Sequence, residues 1–189
     1  GTVSEQLFYP GAYVAERGDH PAYVMAATGE TVTYRELHER ANRIAHLFRS
    51  LGLRPGDHVA WCLENHPWFL SLAWGAHYAG LYYTAISSRL TAEEIAYIVD
   101  DCGAKVFVSS AYKADTAREI VATTPAVQHR FLLDGELAGH GDFLDAVAAQ
   151  PAADLEGAEE GMDMLYSSGT TGRPKGVKVP LREVPLGTP

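Results

Sequence analysis

An α/β fold, with a mainly parallel sheet covered by helices on both faces, is what this sequence predicts, and three observations predict it. Strand-like and helix-like segments alternate from residue 31 to residue 166. Several strand candidates, residues 58–63 among them, are apolar almost throughout rather than on alternate positions, the pattern of strands buried on both sides. Turn and helix-capping residues separate the segments at short intervals.

The elements follow in order. Thr31-Val32-Thr33 reads as a short strand, and Thr33-Tyr34-Arg35-Glu36 is a capping box in which the Thr hydroxyl accepts a first-turn N–H while Glu36 reaches back. Leu37, Ala41, Ile44, Ala45, Phe48 and Leu51 recur at helical spacing, and Gly52 supplies the left-handed residue that stops the helix. Arg54-Pro55-Gly56-Asp57 is a turn before the strand at 58–63. Pro67 suits the first position of a helix running to about Ala79, and residues 82–86 are strand-like. Thr91-Ala92-Glu93-Glu94 is a second capping box, Ile95, Ile98 and Val99 give its helix a buried stripe, and Gly103 ends it. A strand at 105–109, a helix at 113–122, a strand at 129–133 and a helix at 143–149 continue the rhythm, and 162–166 is the last strand. Residues 151–161, acidic and rich in Ala and Gly, read as a loop. Residues 180–189, with three prolines, read as an extended, poorly anchored tail.

Composition narrows the function. At 189 residues, 47% hydrophobic and 21% charged, the chain can bury a sizeable core. A net charge of −9 argues against a general nucleic-acid or membrane-surface binder, since both need a positive field. No Lys or Arg occurs between Arg130 and Arg173; then Arg173, Lys175, Lys178 and Arg182 arrive together. A local cationic patch on an acidic protein suits a small polyanion, the alternative being a solvated turn. Cys62 and Cys102 lack metal or redox spacing and read as buried thiols in a reducing compartment. Residues 65–88 carry no Asp, Glu, Lys or Arg, but Pro67, Gly75, His77 and Gly80 interrupt them, so a buried helix and strand are expected rather than a membrane span. The amino terminus has no signal-peptide pattern, and a soluble cytoplasmic protein is the expectation.

The stretch that carries chemistry is Tyr166-Ser167-Ser168-Gly169-Thr170-Thr171-Gly172-Arg173-Pro174-Lys175-Gly176. It follows an apolar strand, where ligands of parallel sheets gather. Gly169, Gly172 and Gly176 permit tight curvature and close approach of a ligand to the main chain, so that successive N–H groups can point into one concavity and hold an anion. Ser167, Ser168, Thr170 and Thr171 add hydroxyls, which also suit magnesium, and Lys175 adds a full positive charge. The run is neither a Walker A loop nor a dinucleotide fingerprint.

Ser-Ser-Gly-Thr-Thr-Gly-Arg-Pro-Lys-Gly resembles the signature loop of the adenylate-forming superfamily: acyl-CoA synthetases, peptide-synthetase adenylation domains and firefly luciferase. Upstream, Thr33 to Leu37 with Asn42 and Ala45, Leu53 to Ala60, Ala79 to Tyr82, Arg89-Leu90-Thr91, Glu94, Tyr97-Ile98 and Asp100 resemble the same family, most closely bacterial fatty-acid or steroid-acid CoA ligases. The family commonly has Pro where this chain has Ala85 and Asn where it has Ser87.

The resemblance implies an AMP-forming acid–CoA ligase that uses ATP, Mg2+ and CoA. Ser167, Ser168, Gly169, Thr170, Thr171, Gly172 and Lys175 would hold the β- and γ-phosphates, with Lys175 steadying the leaving pyrophosphate and Thr170 contacting magnesium. Residues 1–179 would be the amino-terminal portion of the large AMP-binding domain, with 180–189 an extended tail. The adenine, ribose and lid motifs of the family would lie downstream, so the 189 residues alone are expected to be inactive. The alternatives are an adenylating enzyme with another acceptor (peptide synthetase, acyl-AMP ligase or luciferase-like) and a non-catalytic nucleotide- or partner-binding module. Self-association or domain exchange is a further expectation, from faces that a partial sheet leaves uncovered. The aromatics Trp68, Phe69, Trp74, Tyr78, Tyr82 and Tyr83 are expected in the core rather than in an acyl tunnel, and Asp100 and Asp101 in structural or solvated roles.

Overall fold

The computed structural model describes residues 9–25, 29–167 and 173–188. A 3-10 turn (Pro10–Tyr13) and the single-turn helix α1 (Val14–Arg17) precede strand β1 (Pro21–Val24), which pairs antiparallel with β2 (Thr31–Thr33). Helix α2 (Tyr34–Ser50) opens on the expected capping box: Thr33 Oγ1 accepts from Glu36 N at 3.1 Å, and Thr33 N donates to Glu36 Oε1 at 3.4 Å. Gly52, at φ +92°, turns the chain out of the helix.

Strand β3 (His58–Leu63) leads to helix α3 (Phe69–Tyr78), which begins two residues after Pro67. Trp68 N donates to His66 Nδ1 at 3.1 Å, so a side chain rather than the proline ring organises that entry. Strand β4 (Tyr82–Ser87) follows, then helix α4 (Ala92–Asp101) on the second capping box, with Glu94 N donating to Thr91 Oγ1 at 3.2 Å. After β5 (Val106–Ser109), the helix expected at 113–122 is three pieces: a 3-10 turn (Ala111–Lys113), α5 (Ala114–Glu119) and a second turn (Val121–Thr123). Strands β6 (His129–Leu132) and β7 (Gly141–Asp142), helix α6 (Phe143–Ala148) and strands β8 (Met162–Asp163), β9 (Leu165–Ser167) and β10 (Lys175–Val177) complete the chain.

The main sheet has six strands in the order β7-β6-β5-β3-β4-β8, every neighbouring pair parallel. The predicted fold class stands. Alternate residues of the central strand serve two cores: Val59, Trp61 and Leu63 join α2, α3 and α6 on one face, while Ala60 and Cys62 join α4 and α5 on the other. Val106 and Val108 against Phe107 in β5 repeat the division. Gly75 lets α3 lie close on α2, since a Cβ there would stand 2.3 Å from Ile44 Cγ2.

One expected strand is two. Residues 162–166 divide at Met164, with β8 joining the main sheet beside β4 and β9 leaving it to form an antiparallel hairpin with β10. The connection from α6 to β8 therefore runs from one sheet edge to the other. It crosses α2, whose polar stripe receives it. Asn42 Nδ2 donates to Ala152 O and Asp154 Oδ1, each at 3.1 Å, and His46 Nε2 donates to Ala153 O at 2.9 Å. His38 Nε2 lies 3.1 Å from the same Asp154 oxygen, and Arg43 donates to Gln150 O. The acidic loop is thus held along a helix face.

The tail is held as well, contrary to its proline-rich composition. Glu160 N donates to Val184 O at 3.1 Å, Leu186 N to Ala158 O at 3.1 Å and Gly187 N to Glu160 Oε1 at 2.9 Å, while Leu181 and Leu186 pack against the two cores. No helix among the described residues is long and apolar enough to cross a membrane; the uncharged stretch is α3 and β4, as expected.

Candidate functional site

Six parallel strands end on one edge of the sheet, and the chain's anion-type residues follow that edge. The residues just beyond β3, β5 and β6 brace one another there. Ser110 Oγ donates to Glu64 Oε2 at 2.6 Å, Ala111 N to Asp134 Oδ1 at 2.7 Å, and His66 Nε2 lies 3.4 Å from Asp134 Oδ2. Glu64, His66 and Asp134 bring their ligand-type atoms within 4.8 Å of one another. His66 Nδ1 accepts from Trp68 N, which fixes the ring so that its Nε2 faces Asp134. The cluster ties three strand ends together.

The hairpin β9–β10 leaves the same edge. Lys175 stands opposite Ser167, Gly176 opposite Tyr166 and Val177 opposite Leu165. Of the residues singled out for phosphate binding, the structure places Ser167 and Lys175 as cross-strand partners at the mouth of the hairpin; Ser168, Gly169, Thr170, Thr171 and Gly172 lie outside the described residues. Gly176 adopts no left-handed conformation. Its missing side chain instead makes room for neighbours, since a Cβ would meet Met164 Cε at 2.3 Å and the Tyr166 ring at 3.1 Å.

The four late cations have different settings. Arg173 stacks its guanidinium over the Tyr97 ring at 4.8 Å, and Lys178 sets its ammonium over Tyr82 at 4.7 Å. Arg182 donates to Thr188 O at 3.2 Å within the tail. Lys175 remains exposed at the hairpin mouth. Spacing in sequence shows four neighbours; the structure gives Arg173, Lys178 and Arg182 partners on α4, β4 and the tail respectively.

On its other face Tyr82 stacks on His58, with ring centroids 4.8 Å apart and planes inclined by 20°. Burial, and then the nearby Lys178, push His58 down to about 4 from its ordinary 6.5. Between those two values the unfolded chain carries a proton that the folded chain does not, so stability falls as pH falls from about 6.5 to about 4 and is unaffected by this group above that window. Urea titrations at pH 7.5 and pH 5 are expected to show the loss, and a His58→Gln variant to show a smaller one.

Other candidates take structural places. Tyr78 is fully buried and its hydroxyl accepts from Gly11 N at 3.2 Å. Tyr83 stacks on Trp61 at 5.6 Å, Phe69 meets Trp61 edge-on at 6.0 Å, and Trp68 lies under Arg40 at 4.3 Å. Packing, as expected, accounts for these aromatics. Cys62 and Cys102 are buried free thiols, each pushed up to about 11 chiefly by burial. Asp101 accepts from the Tyr166 hydroxyl at 2.7 Å, a role that no local pattern signals. Ala85 and Ser87, the two departures from the resembled family, stay within the β3–β4 ladder opposite Trp61 and Leu63, and Ser87 Oγ accepts from Arg89 N at 3.2 Å to turn the chain.

Residues 12–184 match the family model described as AMP-binding enzyme. The chain belongs to this family. Among AMP-binding enzymes, a long-chain-fatty-acid–CoA ligase of Mycobacterium tuberculosis, FadD13, is 34% identical over 158 residues, covering 82% of this chain and 31% of that protein. Gramicidin S synthase 2 of Aneurinibacillus migulanus is 31% identical over 155 residues, covering 82% of this chain and 3% of that protein. The crystal structure of the anthranilate CoA ligase AuaEII in complex with anthranoyl-AMP superposes with a TM-score of 0.81 at 24% identity, covering 91% of this chain and 34% of that one; it supports the fold. The chain spans about a third of the length of the CoA ligases it matches.

Proposed function

We propose that the natural protein is an ATP-dependent acid–CoA ligase and that the hairpin mouth is its phosphate grip. The observation that carries this reading is the placing of Ser167 and Lys175 as cross-strand partners on either side of the Gly/Thr run, at the carboxyl edge of a parallel sheet in an AMP-binding enzyme. Likeness to a long-chain-fatty-acid–CoA ligase favours a fatty or similarly apolar carboxylic acid as substrate.

In the first half-reaction a carboxylate oxygen bonds to the α-phosphorus of ATP and the bond to the β-phosphate oxygen breaks, giving acyl-AMP and pyrophosphate. In the second, the CoA sulfur bonds to the acyl carbon and AMP leaves. This chain's part is in the first. Main-chain N–H groups and the hydroxyls of Ser167, Ser168, Thr170 and Thr171 orient the β- and γ-phosphates, and the Lys175 ammonium meets charge growing on the leaving pyrophosphate. Magnesium, when bound, neutralises phosphate charge; hydroxyl oxygen is a hard donor suited to it, and Thr170 would be the chain's contact. The 189 residues alone are proposed to lack steady turnover, since they span about a third of the related ligases.

The test is exchange of labelled pyrophosphate into ATP by the natural protein, across fatty, steroid-type and aromatic acids. Acid-dependent exchange is expected, and its absence with every acid would overturn the reading. A second acceptor remains worth testing because the chain is also similar to gramicidin S synthase 2. Thioester formation on CoA, but not on a carrier protein, is the outcome expected here.

A further inference from the structure

We infer that helix α4 positions the phosphate grip, through Tyr97 and Asp101 acting as a two-point brace on the arms of the β9–β10 hairpin. This rests on the reading of that hairpin as the nucleotide-phosphate site.

Tyr97 and Asp101 lie four residues apart on α4, so they share a helix face one turn apart. Each holds a different arm. Asp101 Oδ2 accepts from the hydroxyl of Tyr166, the residue before Ser167, at 2.7 Å. The Tyr97 ring carries the guanidinium of Arg173, two residues before Lys175, at 4.8 Å. Glu93, Asp100 and Glu119 line the groove that holds Arg173, so the guanidinium meets a negative field as well as the ring. The arms pair from Leu165 with Val177 to Ser167 with Lys175, and the Gly/Thr run lies between them in the sequence.

A separate observation agrees. Gly176, opposite Tyr166, has no side chain where a Cβ would come within 3.1 Å of the Tyr166 ring and 3.2 Å of its hydroxyl. The bare strand lets the ring lie across β10 and its hydroxyl reach α4. Holding both arms sets where Ser167 and Lys175 stand before nucleotide arrives, and a preorganised site loses less on binding. Tyr97 and Asp101 are positioning residues: they act through Tyr166 and Arg173.

The experiment is pyrophosphate exchange by the natural protein carrying Tyr97→Leu, Tyr97→Phe or Tyr166→Phe, with Lys175→Ala alongside and urea titrations of each. Loss of one anchor is expected to raise KM for ATP about three- to tenfold while KM for the acid stays within about twofold. Tyr97→Phe, which keeps the ring face, is expected to behave as the unaltered protein. Tyr166→Phe removes one oxygen and keeps the ring, so it tests the brace even if Tyr97→Leu lowers stability. If Lys175→Ala cripples exchange while Tyr97→Leu and Tyr166→Phe leave KM for ATP unchanged, the brace is wrong and the phosphate site stands. If Lys175→Ala is also silent, the phosphate site falls and the brace with it.

Discussion

Replacing Lys175 with alanine in the natural protein is expected to lower kcat/KM for ATP in pyrophosphate exchange by about a hundredfold, the scale seen when one preorganised donor to a developing oxyanion is removed. An ammonium about 4 Å from a phosphate oxygen, at an effective dielectric near 20, attracts it by about 4 kcal/mol before desolvation is subtracted. An exposed position keeps that desolvation loss modest, and Lys175 is exposed at the start of β10. Loss of the part of the attraction made in the ground state raises KM, and loss of the part that grows as the pyrophosphate leaves lowers kcat. Lys175→Arg retains the charge but not the compact geometry, so an intermediate loss is expected. Urea midpoints of both variants are expected within about 0.5 kcal/mol of the unaltered protein, as for surface substitutions generally. Unchanged exchange by Lys175→Ala would remove the basis of the functional assignment.

The second large effect is on stability. Trp61 sits in the central strand β3, 1% exposed, stacked on Tyr83 at 5.6 Å and met edge-on by Phe69 at 6.0 Å. Trp61→Ala is expected to cost ~3–5 kcal/mol in urea unfolding, from lost transfer energy and from a cavity walled by elements that cannot collapse into it. Domains of ordinary stability have about 5–15 kcal/mol in all, so a large share would go. Trp61→Phe is expected to cost much less. It keeps an aromatic ring between Tyr83 and Phe69 and deletes an indole N–H that is buried without a hydrogen-bond partner among the described residues. A loss below about 1 kcal/mol for the alanine variant would mean that the core around β3 rearranges freely.

Sequence showed most of the sheet and the least of its joins. Thr33 with Glu36 and Thr91 with Glu94 announce two helix starts because a capping box is closed within four residues. Gly52 and Gly103 announce the matching ends, and both adopt positive φ. Apolar runs at 58–63 and 106–109 announce buried strands. What stayed hidden depends on residues far apart in the chain. Nothing local divides 162–166 into two strands; the division comes from Tyr82 and Tyr83 claiming Met162 and Asp163 while Lys175 to Val177 claim the rest. Strand β1 escaped notice because its partner's pairing, not its own pattern, makes it a strand. The candidate site was legible as a motif, through its glycines, hydroxyls and Lys175. Its support was not: Asp101 looked like a solvated helix end, and Arg173 like one more phosphate-seeking cation.

The route of the chain across α2 imposes an order of assembly. Strand β8 must be delivered to the far side of the sheet, and the segment that delivers it grips Asn42, which precedes Ala152 by 110 residues. Closing so long a loop gains little until the helix that receives it already stands on β3. The edge strand beside β4 is therefore expected to complete late, which pulse-labelled hydrogen exchange during refolding would show. A fault in helix α2 is thus expected to be felt at β8 and at the hairpin that follows it.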